Sequence, residues 1–155
     1  MDPGSLTTDQ LAAPDYRRVI DAVGRRDQAR LLIDGITAAN DLGLSTAVPG
    51  KVVVHTDARL RSIQLDQLIL TFKLTAPSKL YWAGRPAMRI VQSLHWFRNG
   101  LKTGSLLDED IIQNKIIRLL QDQNQGADLR DDLIQGLNTL PAWMQDWICH
   151  LLTRV

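Results

Sequence analysis

The sequence predicts an α+β domain: a small, mostly antiparallel sheet packed against helices, followed by an all-helical C-terminal part. Three observations carry this. Between residues 61 and 74 apolar and polar side chains alternate, the period of strands with one covered face. From residue 87 the period lengthens to three and four, that of amphipathic helices. Glycine and proline punctuate the change points, at Gly43, Pro49, Gly84, Pro86, Gly126, Gly136 and Pro141.

Each element has a local reason. Tyr16, Val19, Ile20 and Val23 follow helical spacing, and Pro14 suits a first turn, so a helix is expected from Pro14 to about Gly24. Ala29–Asp34 is a short strand. Gly35–Leu42 reads as a short helix stopped by Gly43. Pro49 pushes Val48 toward extended backbone, and a strand follows over Lys51–Thr56, with Asp57-Ala58 as turn material. Arg61–Leu65 and Leu68–Leu74 make a hairpin around Asp66-Gln67, a weaker turn signal than Asn-Gly. Lys79–Trp82 is a further extended piece that could join the sheet. Ala87, Ile90, Val91, Leu94 and Phe97 then give a helical stripe, ended at Asn99-Gly100. Ser105–Asp108 resembles a capping box for a helix with Ile112, Ile116, Leu119 and Leu120 inward. Gly126 and Gly136 bracket a short helix. Pro141 opens the last, with Met144, Trp147, Ile148 and Leu151 inward.

The chain has 155 residues, 45% hydrophobic and 23% charged, enough for one domain with a real core. No apolar run approaches the ~18 residues of a membrane span. Met1–Ser5 lacks a secretion pattern and reads as a cloning remnant, leaving residues 6–155 as the domain. The single cysteine, Cys149, excludes a disulfide framework and a Cys-rich zinc site; it fits a reducing cytoplasm, and its apolar helix face predicts packing. Net charge is +1 but uneven: residues 51–102 hold nine Lys/Arg against two Asp, and residues 105–155 four Lys/Arg against eight Asp/Glu. The basic middle either faces an acidic partner or is neutralised by the acidic tail within the fold.

Motifs for phosphate or dinucleotide binding are missing: there is neither a glycine-rich phosphate loop nor Gly-x-Gly-x-x-Gly. His55, His95 and His150 have no metal-ligand spacing, and His95 borders an apolar helix face. His55 and Asp57 share strand parity, so a base and its orienter are conceivable there, but no nucleophile accompanies them. Asp108-Glu109-Asp110 and Asp131-Asp132 suit helix starts and solvated faces. No cofactor, metal or small-molecule substrate is expected, and no enzyme. Trp147 belongs to an apolar stripe. Trp96 lies on the polar face of its helix, a candidate aromatic anchor for a partner unless another helix covers it.

The run from Ala38 to Asp57, Ala-Ala-Asn-Asp-Leu-Gly-Leu-Ser-Thr-Ala-Val-Pro-Gly-Lys-Val-Val-Val-His-Thr-Asp, resembles a sequence block of bacterial AbiEi-type antitoxins, of type IV toxin–antitoxin and abortive phage-infection systems. The resemblance continues through Arg59–Arg61, Leu68–Leu74 and Leu80-Tyr-Trp-Ala-Gly-Arg-Pro86. It closes at Leu140-Pro-Ala-Trp-Met144, so it spans most of residues 11–153. Ala47 and Ala58 depart from the Gln and Gly usual in that family, and Asn99–Gly104 looks longer. The resemblance implies the C-terminal antitoxin domain alone. In such proteins a winged helix-turn-helix precedes it and binds operator DNA. The implied partner is a nucleotidyltransferase-like toxin, counteracted with or without direct contact. The alternative is a DNA-contacting module of a transcriptional autoregulator. On either reading Lys51, Arg59, Arg61, Lys73, Arg85 and Arg89 would form one basic face, with Arg59 and Arg61 on the same side if their strand continues through them; otherwise Arg59 and Arg61 are solvated hairpin charges.

Overall fold

The structure is a computed structural model and describes residues 8–45, 50–98, 101 and 109–155, with side chains from residue 16. The elements are α1 (Thr8–Asp27), β1 (Leu31–Ile33), α2 (Gly35–Asp41), β2 (Lys51–Thr56), β3 (Ile63–Leu65), β4 (Leu68–Leu74), α3 (Met88–Trp96), α4 (Glu109–Leu120), α5 (Gly126–Gln135) and α6 (Ala142–Leu152). Single 3-10 turns stand at Pro77–Lys79 and Leu137–Thr139. The fold is α+β; among the described residues the strands lie in the first half and the elements after residue 87 are helical.

The four strands are ordered β1-β2-β4-β3. β1 and β2 are antiparallel, as are β3 and β4, but the central and longest pairing, β2 with β4, is parallel. The sheet is therefore mixed. The expected hairpin forms: Asp66 takes a left-handed conformation with φ 52, which a short polar side chain tolerates, and Gln64 Nε2 donates to its carbonyl at 2.6 Å. The hairpin docks through β4 rather than β3, so the connection 57–62 has to arch across the end of β4 to reach β3. A sequence shows strand periods, not strand order, and the parallel contact follows from that docking.

One face of β2 is buried: Val52, Val54 and Thr56 are inside while Lys51 is exposed. Leu70 of β4 lies opposite Val52 and is wholly buried. One continuous core runs from Ile20 and Val23 of α1, through Ile33, Val54 and Leu70, to Ile90 and Leu94 of α3. It continues into Ile116, Leu120, Leu133, Met144 and Ile148 of the last three helices. Of the predicted stripes, Ala87, Ile90, Val91 and Leu94, then Ile112, Ile116 and Leu120, then Met144, Ile148 and Leu151 are buried, while Phe97, Leu119 and Trp147 are half-buried.

Several expectations change. α1 begins at Thr8, before Pro14, and runs past Gly24 to Asp27. Lys79–Trp82 is turn rather than strand; Pro77 opens a 3-10 turn, and Leu80 and Trp82 are buried by side-chain packing instead of ladder bonds. Cys149 is exposed, one position past the buried Ile148. His95 is also exposed. Trp147 is only part-buried and donates through Nε1 to Glu109 at 3.3 Å. Met1–Ser5, Val48-Pro49, Asn99-Gly100 and the Ser105–Asp108 capping box lie outside the described residues.

Candidate interaction surface

The six cations of the expected basic face fall into three groups. Arg85 turns inward. Its Nε donates to Asp132 of α5 at 2.8 Å, and its Nη2 lies 2.7 Å from the same oxygen. The other oxygen of Asp132, whose side chain is 5% exposed, accepts the backbone N–H of Ala87 at 2.9 Å. The guanidinium also stacks 4.5 Å above the Tyr81 ring. Beside it, Trp82 donates to Thr139 Oγ1 at 3.0 Å and presses on Gly136, where a Cβ would stand 2.8 Å from the Tyr81 ring and nearer still to that of Trp82. The stretch Leu80–Pro86 is thus a clamp that ties the sheet to α5 and the turn after it.

Arg89 is also engaged. It donates to Asp41 at 2.9 Å, and the Asp41 side chain is 3% exposed. Tyr16 donates to the other Asp41 oxygen, with Arg17 3.6 Å from it. Burial, followed by the adjacent Asp41, pushes the Tyr16 hydroxyl above its ordinary value. Asp41 therefore joins α1, α2 and α3.

Lys51 and Lys73 stay exposed. Register puts His55 opposite Lys73 and Lys51 opposite Ile69, so both lysines stand on the outward face of the sheet with His55 between them. His55 Nδ1 lies 3.3 Å from Thr75 Oγ1, and burial and then Lys73 lower its pKa. Asp57 accepts the backbone N–H of Arg30 at 3.0 Å. The two side chains have separate partners.

Arg59 and Arg61 belong to neither strand. β2 ends at Thr56 and β3 begins at Ile63, so the parity argument for the two arginines does not apply. They sit in the arch, exposed, on either side of half-buried Leu60. With Ala58, Phe72 and Leu74 they line an open groove of about 390 Å³. Phe72 and Leu74 alternate with Lys73 along β4, which places the groove on the opposite face from the lysines. Among the described residues no carboxylate pairs with Lys51, Arg59, Arg61 or Lys73. The groove's apolar part was missed in the sequence, where Phe72 and Leu74 read as the covered face of a strand.

Trp96 is 43% exposed and meets Phe97 edge-on at 4.8 Å. α2 begins against its stem, since a Cβ on Gly35 would stand 2.7 Å from Trp96 Cβ. The ring is thus fixed at its base and partly open to solvent.

The fold and these surfaces define an α+β protein with two separate cationic faces, one bearing lysines and one bearing arginines. The chain belongs to the family of unknown function DUF6088, which matches over residues 7–127. No curated protein and no solved structure matches it.

Proposed function

We propose that this chain is an antitoxin domain of a bacterial type IV toxin–antitoxin system, acting without catalysis against a nucleotidyltransferase-like toxin. The resemblance of residues 38–57, 80–86 and 140–144 to AbiEi-type antitoxins supports the reading. The observation that supports a contact role is that Lys51, Arg59, Arg61 and Lys73 have no described carboxylate partner, while Arg85 and Arg89 are held by buried ones. The working cations on this reading are the first four.

Growth rescue tests it. Residues 6–155 are co-expressed with the product of the adjacent gene, the expected toxin. Rescue by the wild-type domain, lost on Arg59→Glu with Arg61→Glu or on Lys51→Glu with Lys73→Glu, is the expected outcome. An unrescued culture containing folded domain counts against it.

A second reading has its own observation. Lys51, His55 and Lys73 share the outward sheet face, where the two lysines could contact backbone phosphates. If the chain is instead a DNA-contacting module of an autoregulator, operator affinity falls with salt at a log–log slope of about −0.9 per phosphate neutralised. Lys73→Glu then flattens that slope.

A further inference from the structure

We propose that the groove under the arch docks an acidic, apolar-anchored segment of a partner protein: a short stretch of chain with one large apolar side chain flanked by carboxylates. The floor is Ala58, Leu60, Phe72 and Leu74. Leu74 is 53% exposed, at the end of a strand whose inward side is buried at Leu70 and half-buried at Phe72. The rim is Arg59 and Arg61, one on each side of Leu60, with no described carboxylate paired to them. A leucine or phenylalanine seated on the floor removes Leu74 and the open edge of Phe72 from water. The two guanidiniums then present planar donor forks to carboxylates on either side of that anchor, a geometry ammonium groups do not supply.

Charge sets the sign of the occupant and the floor sets its type. Single-stranded nucleic acid is held by stacking on open aromatic faces. Here the floor has one ring, Phe72, half-buried, and is otherwise aliphatic. The volume of about 390 Å³ is near the lower end of binding clefts and suits one or two side chains. Lys51 and Lys73 lie on the opposite face and take no part. The inference stands on the groove and not on the antitoxin reading, so failure of growth rescue leaves it intact.

The test immobilises the whole chain and selects from a phage-displayed library of random short peptides. Fluorescein-labelled copies of the enriched peptides are then titrated by anisotropy. Enriched peptides should carry Asp or Glu around one Leu, Ile, Phe or Met. Their affinity should fall about tenfold or more for Arg59→Glu with Arg61→Glu, and again for Leu74→Asp. It should be unchanged for Lys51→Glu with Lys73→Glu. All substituted side chains are exposed, and circular dichroism melts matching the parent chain confirm that the variants fold. Enriched peptides lacking acidic residues, equal binding by the arginine variant, or no enrichment above that variant each overturn the proposal. A labelled oligothymidine is titrated in parallel. If it binds more tightly than any selected peptide and loses affinity with the same arginines, the groove is a nucleic-acid site and the proposal fails.

Discussion

In the loop after β4, Arg85 turns inward to Asp132; in the arch after β2, Arg59 and Arg61 meet no described carboxylate and face solvent. Both segments are rich in basic and apolar residues, and both leave the same end of the sheet. They differ in what stands opposite. The clamp loop faces α5, which offers a buried carboxylate, a close-packed glycine at its end and a threonine just beyond. The two arch arginines border a groove floored by β4, and among the described residues no carboxylate pairs with them. An arginine becomes structural where another element supplies a desolvated acid, and remains available where none does. Arg89 repeats the first case through Asp41.

This contrast can be broken most severely at the clamp. Asp132→Ala leaves Arg85 and the Ala87 N–H without their acceptor and should cost about 4 kcal/mol, read from urea denaturation. Gly136→Ala drives a methyl group into the Trp82 and Tyr81 rings and should cost about 2 kcal/mol, with a shifted tryptophan emission maximum. At the Asp41 junction, Tyr16→Phe removes a hydrogen bond to a buried carboxylate, for about 1.5 kcal/mol. The raised pKa of Tyr16 adds a pH signature. The fold favours the protonated hydroxyl, so its contribution is complete below the ordinary tyrosine value of about 10 and is lost as pH rises beyond it. Urea midpoints of Tyr16→Phe should therefore fall less steeply in alkali than those of the parent. Arg59→Glu with Arg61→Glu should change stability by no more than about 0.5 kcal/mol. A large loss there would mean that the arch arginines are structural after all, and the contrast would collapse.

Much of the secondary structure was legible. β2 has the residues expected after Pro49, β4 those its alternation predicts, and Gly43, with φ 72, ends the α2 region as its position suggests. These signals are local. Strand order is not: nothing in the spacing of Leu68–Leu74 distinguishes a strand beside β2 from one beyond β3. Nor could spacing separate Arg85 from Arg59, because the carboxylate that decides the matter, Asp132, lies in another helix and read as a solvated charge. Lys79–Trp82 was misread because its apolar residues are buried without a ladder. The groove floor was hidden for a related reason. Phe72 and Leu74 alternate like core residues, but the helices that cover Leu70 do not cover the strand's last inward positions.

The arch also fixes a length. Thr56 pairs with Leu74 and Ile63 with Leu70, so its two ends are offset by two strand spacings sideways and four residues along the sheet. At ordinary sheet dimensions that is a straight-line gap of ~16 Å. The seven Cα-to-Cα steps from Thr56 to Ile63 reach ~23 Å when extended. The surplus of ~7 Å is what lets the chain rise over the side chains of β4. Removing two residues from 57–62 would consume it, and β3 could no longer reach its place outside β4. Additional residues would cost only loop entropy, under ~1 kcal/mol for a doubling. In this chain the segment between β2 and β3 can grow by insertion but cannot be much shortened.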